Sequence, residues 1–167
     1  MTSYIEQLTT IKTKYHQWGP FLLRVVIGYG AMVHGWAKLS RGPAGFEKLL
    51  VQIGIPFPHL NSWLVPITEV GCGLAVMLGV FVSFASIPLI ITMIVAMIFV
   101  QMGNGFSSVN TIGLSGSGPI FGPPGYEINL LYIAGLLSLI LSGAGIFSLE
   151  SVFKNFNKRS IQRTQAK

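Results

Sequence analysis

Aspartate is missing from the chain altogether, and the acids number five: Glu6, Glu47, Glu69, Glu127 and Glu150. One cysteine, Cys72, is present. That excludes an internal disulfide, a CxxC thiol–disulfide exchanger and a cluster held by thiolates. No P-loop and no dinucleotide glycine motif occurs, so no nucleotide site is evident. Neither a flavin motif nor a pair of haem ligands across two apolar segments is found. His16 and His59 lie in polar flanks without metal-ligand spacing. Charge of either sign is scarce: 10% of residues, against about a quarter in an average soluble domain.

What fills the chain instead is apolar. Of 167 residues, 51% are hydrophobic, and the mean hydropathy is +0.63. A soluble chain of this size buries only part of the surface it exposes and could not hide so much. The bilayer is therefore the expected solvent. The net charge of +6 sits mostly at the two ends, which reads as flanking charge on a membrane protein and not as a nucleic-acid surface. The polar first residues, with no small-x-small cleavage site ahead of a mature domain, predict that the first apolar stretch is retained.

Four apolar segments predict four spans, at about residues 18–39, 62–81, 85–102 and 128–149. Pro20, Pro66 and Pro88 are each expected in a first helical turn, where a missing N–H does no harm. Ahead of them, residues 1–17 are polar, with Ile5, Leu8, Ile11 and Tyr15 at helical spacing for an amphipathic surface helix. Phe46 to Gly54 reads as a short interfacial helix and the segment from Ile55 to Trp63 as extended. The expected fold class is all-α: an integral membrane four-helix bundle with short interfacial helices.

Residues 103–127 are rich in glycine and proline yet keep Phe106, Ile112, Leu114, Ile120 and Phe121, so a partly ordered loop over one mouth of the bundle is expected. Small residues recur every fourth position at Gly71, Ala75 and Gly79 and again at Ala134, Ser138 and Ser142. They mark either close helix approach or ordinary membrane composition. Residues 151–167 form a basic tail. Lys12, Lys14 and the tail cations outnumber Lys38, Arg41 and Lys48, which predicts both ends on the cytoplasmic side of a bacterial plasma membrane.

The polar residues within spans carry the functional question. Arg24, His34 and Lys38 fall in one stripe of the first span, and such groups face the bundle interior because lipid disfavours them. Chain reversal places Glu69 at about the depth of His34 and Lys38, so a Glu69–His34 or Glu69–Lys38 contact is expected. Arg24 lies about 15 Å deeper and has no assigned partner. Glu127 opens the fourth span, where an acid suits the helix dipole. Either these groups are a clamp fixing helix register, or Arg24, His34, Lys38, Glu69 and Glu127 line a polar pocket. Cys72 reads as a small packing residue.

Arg24, GYGAMVHGWAKL after it, PITEVGCGLAVMLG from Pro66, and GYEINLLYIAGLLSLILSGAGIFSLE ending at Glu150 together resemble the DoxX family of small bacterial and archaeal membrane proteins. Glu150 stands where that pattern more often has aspartate. The resemblance implies a four-helix membrane bundle in which Arg24, His34, Lys38, Glu69 and Glu127 are the matched polar positions. It also implies an accessory subunit of a quinone-linked redox or oxidative-stress detoxification system, with quinone as the candidate ligand. The lipid bilayer, a redox partner subunit and a second copy of the chain are the expected partners, and nucleic acid is not. The alternatives are a membrane scaffold for a soluble enzyme, or a small-molecule or proton-coupled transporter acting as a dimer.

Overall fold

The computed structural model describes residues 17–151. The expected N-terminal surface helix and all but the first residue of the basic tail lie outside them. Five α-helices run α1 (Trp18–Ser40), α2 (Pro43–Gln52), α3 (Pro58–Leu78), α4 (Val82–Ala96) and α5 (Glu127–Ser142). Past Ala96, α4 continues through a π-helical turn, Met97–Gln101, and a 3-10 turn, Met102–Asn104. An antiparallel hairpin of β1 (Thr111–Ser115) and β2 (Gly118–Phe121) then precedes α5. α1, α3, α4 and α5 form the bundle.

Several boundaries differ from those the sequence predicts. α3 begins at Pro58, not near Ser62: proline fits the first helical position, and the left-handed Phe57 (φ 50°) turns the chain into it. Pro66 consequently stands inside the helix. Its ring nitrogen has no hydrogen for the Ser62 carbonyl, the bond a residue four further on would normally make. Gly79 (φ 73°) stops α3 at Leu78. The last helix ends at Ser142, short of the expected 149, because Gly143 (φ 78°) and Gly145 (φ 68°) take the chain out of helix. The hairpin is the largest departure from expectation: the loop of residues 103–127 contains strands.

Contacts between helices fix their directions. Gly28 lies against Gly73, and Gly35 against Pro66 and Glu69, so α1 and α3 are antiparallel. Ile27 packs on Gly135 and the Tyr132 hydroxyl on Gly30, so α1 and α5 are antiparallel too. Residues 79–81 reverse the chain between α3 and α4. The ends of α1 and α4 and the starts of α3 and α5 therefore share one end of the bundle, together with α2 and the hairpin.

The α1–α3 seam is the closest. A Cβ added at Gly28 would come within 2.6 Å of the Gly73 carbonyl oxygen, and one at Gly73 within 2.8 Å of the Gly28 oxygen. Backbone meets backbone there, which matters in lipid because burial of apolar surface gives helices no reason to associate and close packing does. These glycines are not the four-residue repeats noticed in the sequence. Of those repeats, Ala75 packs on the core and Gly79 lies close to Ser148 and Arg24, whereas Gly71 meets open space and Ala134, Ser138 and Ser142 are exposed, the Ser142 hydroxyl bonding back to the Ser138 carbonyl at 2.7 Å. Val76, Val82, Leu89, Leu136 and Leu139 fill the core between the helices.

Candidate functional site

Three polar nodes lie along the bundle. The first joins α1 to α3. Lys38, in the last turn of α1, donates from Nζ to Oε1 and Oε2 of Glu69, each at 2.6 Å. Gly35, one turn earlier, makes the pairing reachable, since a Cβ there would press on Glu69 Cβ at 2.8 Å. Glu69 stands eleven residues into α3, about 16 Å along it. Its carboxylate is 2% exposed, whereas the Lys38 side chain is 29% exposed. Phe46 of α2 lies over the ammonium, 5.2 Å from ring centroid to Nζ, a cation–π geometry. A lysine ammonium has three N–H donors and the carboxylate takes two, so one remains for another acceptor.

His34, one turn below Lys38 on α1, is exposed. Its ring meets the edge of Tyr132 from α5, with centroids 6.4 Å apart. Of the two contacts anticipated for Glu69, the one with Lys38 forms; no hydrogen bond joins Glu69 to His34 among the described residues. On the same end of the bundle, Glu47 of α2 and His59 of α3 approach to 3.2 Å and pin α2 to α3.

The second node is Arg24, fourteen residues before Lys38 and about 21 Å away along α1. It is 1% exposed. Nη1 donates to the Met77 carbonyl at 2.6 Å, and Nη2 to the Ile146 and Phe147 carbonyls at 3.1 and 2.7 Å. Phe21 lies 5.2 Å below the guanidinium. The acceptors are backbone oxygens, so no acidic residue in the sequence marks them. Met77 lies in the last turn of α3, where the helix dipole favours a cation. Ile146 and Phe147 lie in the non-helical stretch after α5, whose carbonyls have no helical donors. Non-helical backbone at membrane depth is tolerated only when protein groups satisfy it, and Arg24 does so.

The third node is Glu127, the first residue of α5. Its Oε2 accepts the Ser108 backbone N–H at 2.9 Å and the Ser108 hydroxyl at 2.7 Å. Glu127 thus ties the base of the hairpin loop to α5. Neither Arg24 nor Glu127 touches the Lys38–Glu69 pair in any described hydrogen bond.

Burial is inverted relative to a water-soluble protein. Arg24 and Glu69 are enclosed while Leu141 is 88% and Phe84 77% exposed. α3, and α4 with its continuation to Asn104 (23 residues), are long and apolar enough to cross a membrane. A helical bundle that encloses Arg24 and Glu69 while leaving much of its outward surface apolar is an integral membrane protein. The chain belongs to the DoxX family, whose family model matches residues 19–102, from α1 to the end of the π-helical turn. Arg24, His34, Lys38 and Glu69 lie within that match and Glu127 lies beyond it. The chain is also similar to the uncharacterized membrane protein Rv3486 of Mycobacterium tuberculosis (strain ATCC 25618 / H37Rv). The two are 28% identical over 142 residues, covering 81% of this chain and 83% of that protein. No solved structure matches it.

Proposed function

We propose that the protein is an accessory subunit of a quinone-linked redox or oxidative-stress system, and that His34, Lys38 and Glu69 form its head-group site. Arg24 and Glu127 belong in this reading to the framework. The observation that carries it is the half-open Lys38–Glu69 pair: one ammonium donor is uncommitted, an aromatic ring covers it, and exposed His34 stands one turn away. Because the pair is neutral as a unit, it suits the carbonyl oxygen of a neutral quinone better than a sulfur oxyanion, which would ask for an unpaired cation. His34 offers a second hydrogen-bonding nitrogen. Electrons are passed by a partner subunit.

Titration of the purified protein with a short-chain ubiquinone should give a saturable change in the intrinsic fluorescence of Trp36 or Trp63, both of which are exposed. Glu69→Gln and His34→Ala should each weaken the response about tenfold, equivalent to about 1.4 kcal/mol, while the unfolding midpoint shows that the bundle survives. Equal affinities in the three proteins would remove the proposal.

We further propose that α1, α3, α4 and α5 all span a bacterial plasma membrane, with both chain ends cytoplasmic. The support is the excess of Lys and Arg at residues 1–17 and 151–167, which the positive-inside rule weighs. Alkaline phosphatase fused after Lys167 should be inactive in cells, whereas the same enzyme inserted after Gly116 in the hairpin turn should be active. The reverse pattern would invert the orientation.

A further inference from the structure

The β1–β2 hairpin has no counterpart in the head-group reading, and it has an uncovered apolar face. Pairing of Leu114 with Pro119 puts those two side chains on one face, and Phe121, two residues along β2, joins them. Gly113, Ser115, Gly118 and Ile120 point the other way. Leu114 is 82% and Phe121 61% exposed. A two-stranded hairpin standing free in water is marginal at best, and here nothing within the described residues covers that face.

Three features say what does. No charged residue occurs between Glu69 and Glu127, so the whole segment crosses into an apolar environment without burying an ion. The hairpin leaves the end of α4 and returns at the start of α5, and the neighbouring surfaces, including Phe99, Met102 and Leu131, are themselves exposed and apolar. The hairpin is thus tethered at both ends to helices whose outward surfaces are apolar. Its base is held in place: Gly122 N–H bonds to the Asn110 carbonyl at 2.7 Å, Gly125 N–H to Ser107 at 2.9 Å, and Glu127 secures Ser108. The outer strand edges set the depth. Unpaired backbone N–H and C=O groups cannot sit in hydrocarbon, so the hairpin stops at the boundary of headgroups and acyl chains.

We propose that the β1–β2 hairpin lies on the bilayer surface, with Leu114 and Phe121 dipping into the acyl boundary and Ser115 and Ser117 facing water. It is a lateral membrane foot, independent of any ligand at Lys38–Glu69.

The test uses the full chain with Cys72→Ala, in phosphatidylcholine–phosphatidylglycerol vesicles. A single cysteine is introduced as Leu114→Cys, Phe121→Cys, Ser115→Cys or Ser117→Cys and labelled with an environment-sensitive dye. Labels at 114 and 121 should emit to the blue and be quenched by lipids carrying a spin label near the carbonyl end of the acyl chain. Labels at 115 and 117 should emit as in water and resist that quencher. Water-like emission at 114, or equal quenching at all four sites, would overturn the proposal. So would a blue-shifted label at 114 that lipid leaves unquenched but that crosslinks to a second copy, since the face would then be a protein interface. Intact tryptophan emission and an unchanged unfolding midpoint establish for each labelled protein that the bundle is folded.

Discussion

Replacing Arg24 with methionine should lower the stability of the bundle by about 3 kcal/mol or more, the cost of leaving three buried carbonyls without their donor. Methionine fills much of the volume, so the loss falls on three carbonyls: Met77, Ile146 and Phe147. Each left bare in a low-dielectric setting costs about 1–3 kcal/mol. Arg24→Lys should recover little. A guanidinium sends separate nitrogens to α3 and to the stretch after α5, whereas a single ammonium is a point donor. Unfolding in mixed micelles, followed by circular dichroism, reads the midpoint. A midpoint within error of the parent for Arg24→Met would mean that water or lipid already satisfies these oxygens.

The second large effect concerns the Lys38–Glu69 pair, and it should be asymmetric. Lys38→Met strands a carboxylate that is 2% exposed, and a destabilisation of about 3 kcal/mol is expected. Glu69→Gln leaves the ammonium on a side chain already 29% exposed, which can swing its head to the interface, so the cost should be clearly smaller. The double variant Lys38→Met with Glu69→Leu should regain most of the loss, because apolar replacement of a buried pair is often close to neutral. Equal costs for the two single changes would overturn the asymmetry, and simple addition in the double variant would show that the two side chains are not energetically coupled. This cycle reports on the pair as a structural element. The quinone titration reports on it as a site.

Much of the architecture was readable from the residues, because long apolar runs leave few choices, although Pro66 and Pro88 stand inside their helices and not in the first turns expected of them. The Lys38–Glu69 contact was readable too: chain reversal alone puts those positions at similar depth. The acceptors of Arg24 were not, since they are main-chain oxygens exposed by a helix that stops early, and side-chain identity carries no mark of them. Glycines at 143 and 145 were the available signal for that stop. The seam of Gly28, Gly35 and Gly73 was missed because attention to a four-residue spacing within one helix selects the wrong glycines. What matters is which of them face the partner. The hairpin was missed although Gly116–Ser117, set between TIGLS and GPIF, is a recognisable two-residue turn. The glycine and proline content around it pointed instead to a loop.

The reach of Arg24 also sets an order of events during synthesis. Its acceptors at Ile146 and Phe147 come 122 and 123 residues later in the chain. While the ribosome is still making α3 and α4, α1 already carries a guanidinium that lacks its final acceptors at Ile146 and Phe147. N-terminal segments form first as a chain is made, so closure around Arg24 waits until the stretch after α5 has been made. A chain truncated before residue 146 would hold every residue matched by the family model and still lack the contact that completes the bundle.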